Sequence, residues 1–454
     1  MSAHPVDSVI YGHLWGTPEV RALLDDQGRL SAWLQILAAL AEAQAEVGLV
    51  PAPAAAAIRA GAKVELLDLE RVAAETRATG HSTLGLIRCL QEVLPAEARE
   101  WVYWGATVQD LTDTWTAQVL RATGDILARD LRRAELATLA LADRHRDTLM
   151  AGRTHGQPGL PITFGFKAAV WASELGRHLD RLAEGRARWE VVQLGGALGT
   201  MEFWGDASLP LLEAFAARLG LGVPDLPWIT ARDRVAEFIG LLAMVTATLA
   251  KIGNEIYQLQ RPEIGELSEP FTSGQVGSIT MPHKRNPELS EHLATLARLV
   301  RAQAGLAVEG MVHDHERDGR AWKTEWVLLP EACLLTGAAL GLAVRLLEGL
   351  QVHADRMRAN LDARGGYLAS EPVMRALTAR VGKHTAQALV YRATMAGIER
   401  GVDLRTALAA DPEIADALDQ AELDLLLDPA AAVGSVGAFI DRVLARGRGR
   451  QAGT

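Results

Sequence analysis

The sequence predicts an all-α protein of three helical domains around a long central helix bundle, and three observations carry that expectation. Strand signals are scarce: aromatic residues make up 5% of the chain, and alternating Val, Ile or Thr runs are hard to find. Apolar residues recur instead at three- and four-residue steps. Some of these stretches run for roughly 40 Å at 1.5 Å per residue, longer than a compact single domain needs. An elongated bundle of that kind implies apolar surface partly buried by further copies of the chain.

Taken in order, "RLSAWLQILAALAEAQAEVGLVPAP" (29–53) reads as an amphipathic helix stopped by Gly48 and by Pro51 and Pro53. Between 163 and 194, Phe164, Ala168, Trp171, Leu175, Leu182 and Trp189 mark a second helix. From about 233 to 261, Phe238, Leu242, Val245, Leu249, Ile252, Ile256 and Leu259 make a helix apolar on most faces, as at the centre of a bundle. Further helices are expected at 289–311 and 324–350. The domains are read as 1–104, 105–350 and 351–454, with the polar stretch "NLDARGGYLASEP" (360–372) near the last boundary and "RGRGRQAGT" as a disordered tail.

Composition excludes several function classes. With 46 basic against 56 acidic residues, a net charge of −10 argues against non-specific DNA or RNA binding. Cys89 and Cys333 stand far apart with no C-x-x-C pattern, so neither a disulfide framework nor a thiolate metal site is expected, and a reducing cytoplasm is the default. The start "MSAHPVDSVIYGHLWG" lacks the basic and apolar regions of a secretory signal. Apolar runs such as "LLAMVTATLA" (241–250) are too short to span a bilayer, so a soluble protein without a membrane partner is expected. His313 and His315 lack spaced partners, and no metal site is expected.

The chemistry collects in three polar islands between long helices. "WGATVQDLTDT" (104–114) reads either as a helix start, with Thr107 as cap and Asp110 in the first turn, or as a binding segment. "AGRTHGQPGLPITFG" (151–165) reads as a polar loop, because Arg153, Thr154, His155 and Gln157 between Gly and Pro do not build a core. In "GSITMPHKRNPELSE" (277–291), mobile glycines precede Ser278, a Met281-Pro282 turn presents His283, Lys284 and Arg285, and Asn286-Pro287 opens a helix. A helix N-terminus, a lysine and an Asn amide converging on one spot form an anion-stabilising site.

Residues 277–287, "GSITMPHKRNP", match every fixed position of the signature G-S-x-x-M-P-x-K-x-N-P, and the chain thereby resembles the fumarase/aspartase superfamily. The other islands fall where that family has its other two active-site segments. The resemblance implies an all-α homotetramer with active sites shared between three subunits, a small dicarboxylate substrate and no cofactor. It implies an anti β-elimination that releases fumarate or a relative. Ser278 is then the base, Lys284 and Asn286 stabilise the aci-carboxylate dianion, and His155 faces it across the leaving group with Glu291 as carboxylate partner. Thr107 takes the carboxylate-binding position, and Gln157 and Met281 join the substrate contacts. In the adenylosuccinate lyase branch a further histidine protonates the leaving nitrogen, and His81 in "TRATGHSTLGLI" (76–87) aligns with it.

Departures from the pattern narrow the substrate. Val108 and Ile279 stand where relatives often carry serine. The segments "GHLWGTPEVRALLDDQGRL" (12–30) and "HDHERDGRAWKTEWVLLPEA" (313–332) look like those of 3-carboxy-cis,cis-muconate cycloisomerases, whereas His81 and His155 are lyase-like. The expected function is a carbon–nitrogen lyase acting on a nitrogen-substituted succinate: an N-succinyl amine, an adenylosuccinate-like compound or nitrosuccinate. A lactone-forming cycloisomerase is the alternative, and a non-enzymatic relative is argued against by the intact site residues. Arg317 and Arg320 either bind a distal carboxylate or form ion pairs on their helix. Arg21 is read as an ion-pairing residue.

Overall fold

The computed structural model describes residues 3–272, 274 and 276–450. It is all-α, with nineteen α-helices and two small two-stranded antiparallel sheets among the described residues.

Helix α1, Asp26–Glu46, begins where Asp25 accepts the Gly28 N–H at 2.8 Å. It ends just before Gly48, one of the expected stops, which turns into the left-handed region at φ 79° ahead of Pro51. The longest helix, α2, spans Val108–Arg144, and only its start was legible. Its sequence looks polar because threonines face inward. Thr112, Thr116 and Thr138 each return a hydroxyl proton to the carbonyl four residues back, at 3.0–3.1 Å, which satisfies them inside the helix.

The second island corrects the sequence reading, since it is a hairpin and not a loop. Strands β1 (Leu149–Thr154) and β2 (Gln157–Thr163) pair antiparallel, joined by the two residues His155-Gly156. Both turn residues have positive φ, 52° and 73°, the backbone that two-residue hairpins require. Gly152, Pro158, Gly159 and Pro161 hide the strand alternation, and a register shift between Ala151 and Arg153 breaks it further.

Helices α3 (Phe164–Trp189), α4 (Asp233–Gln260), α5 (Glu288–Glu309) and α6 (Gly319–Glu348) follow the expected spans to within a turn or so. Between α4 and α5 lies the short strand β3, Leu267–Ser268, which pairs with β4, Gln351–Val352, after α6. Toward the C-terminus come α7 (Ser370–Val381), α8 (Lys383–Arg400) and α9 (Val436–Gly449). α4 and α6 are long and apolar enough to cross a membrane, but 67% and 72% of their apolar windows are buried within the protein, as in core helices.

By packing, the chain forms two compact units. Unit one comprises Met1–Asp130, His178–Ala247 and Thr295–Gly341, and unit two Leu131–Arg177, Thr248–Ala294 and Leu342–Thr454. Unit one buries Leu34, Ile36, Leu37, Trp228 and Phe238. Unit two has a separate cluster in its C-terminal part, where Val373, Leu377, Leu389, Leu404, Leu408 and Ile414 pack together. The expected disordered tail is in part helical. Gly447 lies against Leu139, where a Cβ would come within 2.4 Å of a methyl group, and Arg132 donates to the Gly447 carbonyl at 2.9 Å. Arg450 pairs with Glu135 at 2.6 Å, while residues 451–454 of that stretch lie outside the described residues.

Candidate active site

In unit one, the first island is organised by Asp110. Its carboxylate accepts the Thr107 N–H at 2.9 Å, the half of a capping box that closes the start of α2. It also accepts the N–H groups of Gly195 and Gly196, at 2.8 and 3.0 Å, and the Gln193 amide at 3.1 Å. Burial pushes the Asp110 carboxyl up to about 6, and these hydrogen bonds oppose the rise. The loop so held, "GGALGT" (195–200), is a site element that sequence reasoning missed; its signal was the run of three glycines, 195, 196 and 199.

Thr107 does not cap with its side chain. Its hydroxyl oxygen accepts from Arg317 Nη1 at 2.9 Å, while Arg317 Nη2 donates to the Ala197 carbonyl at 3.0 Å. Arg317 therefore ties the island to the glycine loop and leaves the Thr107 hydroxyl proton to donate. Tyr103, also unforeseen, is held at φ 62°, an uncommon backbone for a bulky residue. Burial and the Asp110 charge raise its phenol pKa, against Arg317 and the Thr83 hydroxyl, so it remains a neutral donor between these groups. Thr83 also donates its N–H to His81 Nδ1 at 3.4 Å, which leaves the proton of the neutral ring on Nε2. The His81 segment and the first island thus meet around Tyr103.

Below the island lies a buried charge cluster. Arg232 donates to both oxygens of Asp113, at 2.7 and 3.2 Å, and to Glu325, with Nε at 2.8 Å. Burial disfavours its charge, but the two carboxylates more than offset that and hold its pKa above the usual range. The Trp322 indole N–H and the Gln109 amide complete Asp113, both at 3.2 Å. Arg320 is exposed and ion-paired to Asp314 and Asp318, and Arg21 lies 3.6 Å from Asp7. Among the described residues no group of three or more His, Cys, Asp or Glu side chains gathers as a metal site.

In unit two, His155 and Gln157 stand exposed at the hairpin tip, and no hydrogen bond reaches the His155 side chain among the described residues. The hairpin is anchored two residues earlier. Arg153 grips Glu266 through both guanidinium arms, at 2.6 and 2.9 Å, and Asn360 adds a bond to the same carboxylate at 2.8 Å. Three residues on, buried Glu269 accepts the N–H groups of Leu289 and Ser290, at 3.0 and 2.8 Å, and the Ser290 hydroxyl at 2.6 Å. A carboxylate there neutralises the positive end of α5 and pins both ends of the loop carrying the signature.

Within that loop the chain doubles back. A Cβ on Gly277 would lie 2.5 Å from the Lys284 carbonyl oxygen, so only glycine permits the approach. Asn286 Nδ2 donates to the Gly277 carbonyl at 3.0 Å and lies 3.4 Å from Glu288 Oε1. Ser278 is half-buried and its oxygen accepts the Met281 N–H at 3.1 Å. Lys284 and Met281 are exposed, and Ile279 is 95% exposed, an apolar side chain with nothing yet to cover it. Glu291 lies on the exposed face of the first turn of α5, and among the described residues of the chain it makes no hydrogen bond with His155.

A family model described as "Lyase" matches residues 16–302, and one described as "Adenylosuccinate lyase C-terminus" matches 366–443. The chain is 41% identical to the N-acetyl-S-(2-succino)cysteine lyase of Dickeya dadantii, with 98% of each chain covered. It is 40% identical to the nitrosuccinate lyase of Streptomyces davaonensis, over 94% of this chain and 92% of that one. The solved structure of the 3-carboxy-cis,cis-muconate lactonizing enzyme of Pseudomonas putida superposes with a TM-score of 0.90 at 36% identity, covering 97% and 99%.

Proposed function

The chain belongs to the fumarase/aspartase superfamily of lyases, and on that premise we propose that it eliminates a nitrogen leaving group from a substituted succinate, releasing fumarate. The carrying observation is the signature loop: Glu269 pins its ends, Asn286 draws it together at Gly277, and Ser278 and Lys284 are presented on one short turn. Ser278, as alkoxide, takes the proton from the carbon next to the distal carboxylate. The electron pair enters that carboxylate, and the resulting dianion is met by Lys284 and by the Asn286 amide, whose long contact to Glu288 is exchangeable. One such donor is worth roughly 3–4 kcal/mol.

The carbon–nitrogen bond then breaks on the opposite face, its electron pair leaving with nitrogen. His81, as the imidazolium, supplies the proton the amine needs and returns to the neutral ring, and the Thr107 hydroxyl, held by Arg317, donates to a carboxylate. The scheme calls for no cofactor. His155 and Glu291 pair between copies of the chain, in a homotetramer with shared sites. Exposed apolar residues on the long helices support such assembly, among them Val170 on α3, Met244 on α4, and Leu299, Leu306 and Val308 on α5. A cytoplasmic enzyme fits this reading.

The Dickeya relative's name favours a second reading, in which sulfur replaces nitrogen as the leaving atom and needs less help from His81. A panel of N-succinyl amino acids, nitrosuccinate, S-(2-succino)-N-acetylcysteine and 3-carboxymuconate decides between them. Fumarate absorbance should rise with a nitrogen compound and vanish in Ser278→Ala. Turnover of the thioether alone selects the sulfur reading, and turnover of the muconate without fumarate selects lactonisation.

A further inference from the structure

Unit one contains a cavity of about 240 Å³ lined by Trp33, Trp115, Trp322 and Trp326, together with Arg29 and Ser82. Four of the chain's eleven tryptophans meet there, too many for a chance lining. The rings are already packed edge to face: Trp33 on Trp115 at 6.2 Å between centroids, Trp322 on Trp326 at 4.9 Å. A gap nevertheless remains between them. Trp326 is 41% exposed, which a filled core would not leave.

Two N–H groups of the lining have no acceptor among the described residues. The Trp33 side chain is 7% exposed, and its indole N–H is buried with no hydrogen-bond acceptor among the described residues. Arg29 lies over the Trp115 ring, 4.8 Å from its centroid, and its buried Nε is likewise unsatisfied. Among the described residues its guanidinium makes only a long contact, 3.5 Å, to the Leu24 carbonyl. Burial lowers the pKa of this guanidinium, with only Asp26 acting against it through space. Trp322 differs, because its N–H is satisfied by Asp113 at 3.2 Å. An acceptor with negative charge would complete both Arg29 and Trp33.

The cavity also adjoins the candidate site. Ser82 directly follows His81, and Thr112, Trp115 and Thr116 continue along α2 the helix face that begins at Val108. Val108 places an apolar side chain at the start of that face. We propose that this tryptophan-lined cavity is the subsite for the departing half of the substrate, and that it takes an apolar or aromatic group bearing a carboxylate. The assignment rests on the elimination reading above. Its volume lies below the roughly 300 Å³ at which pockets for drug-sized ligands begin. A nucleotide is too large for it, and a group of amino-acid size fits.

Titration calorimetry with phenylacetate and phenethylamine, which share a ring and differ in the sign of their charge, tests the cavity directly. Phenylacetate should bind at least tenfold more tightly than phenethylamine, and Arg29→Gln or Trp326→Ala should weaken it at least tenfold. Circular dichroism matching the wild type, and recovery of binding in Trp326→Phe, separate this from loss of folding. Equal affinity for both probes, binding of neither because another copy covers the cavity, or indifference to Arg29→Gln overturns the proposal. Among succinates that turn over, Trp326→Ala should lower kcat/KM at least tenfold more for bulky carboxylate-bearing leaving groups than for aspartate. Phenylacetate binding with no succinate turned over refutes the elimination reading and the leaving-group assignment, while the binding site itself stands.

Discussion

Arg153 holds Glu266 through both guanidinium arms, and the acid it grips has no solvent-exposed side-chain surface. Because Arg153 is two residues from His155, this pair sets the direction of the hairpin tip. Removing one partner of a buried pair costs about 3–5 kcal/mol. Glu266→Ala should lower stability by that order in urea unfolding. Arg153→Lys should recover little of the activity, since an ammonium cannot reproduce the two-armed geometry.

Glu269 performs the corresponding task for the signature loop. Glu269→Ala removes a cap worth about 1–2 kcal/mol from the start of α5. The prediction is a fall in kcat larger than any change in KM, with helicity unchanged by circular dichroism. Gly277→Ala should act in the same direction, because its Cβ would strike the Lys284 carbonyl. Normal turnover in both variants would mean that the loop does not position the chemistry.

Arg232 neutralises Asp113 and Glu325 in a site closed to solvent. Arg232→Met leaves two buried carboxylates facing each other and should destabilise the protein by about 3–5 kcal/mol. Adding Asp113→Asn and Glu325→Gln to that variant should restore part of the loss, as measured by thermal unfolding.

Asp110 gives a pH signature. Its folded pKa, about 6, exceeds the ordinary value near 3.8, so the native state holds the proton more tightly than the unfolded chain. Its contribution to stability is therefore fully present below about pH 4 and falls by on the order of 3 kcal/mol as pH rises through 6. Urea titrations of the wild type and Asp110→Asn across this range should show the stability difference between them moving against the variant at low pH. A difference that does not change with pH would contradict the assignment.

The helices were legible because their signal is local: Phe238, Leu242, Val245 and Leu249 repeat every turn wherever the helix packs. α2 was less legible because its buried face carries Thr112, Asp113 and Thr116, whose satisfaction by backbone and by Arg232 has no apolar signature. The hairpin at His155 was hidden by its prolines and glycines. Of the candidate site, Ser278, Lys284 and Asn286 could be found because they lie within one short motif. Tyr103 and the glycine loop could not, since their partners are distant in sequence.

By itself the sequence determined the helical class, the approximate span of most long helices and the signature "GSITMPHKRNP" (277–287). Each of these depends on neighbours within a few residues. Only the tertiary structure decided which polar groups meet: Asp110 with Gly195 and Gly196, Arg317 with Thr107, Glu269 with the start of α5. A buried charge or N–H must find a partner wherever packing brings one, and sequence spacing does not say where that is.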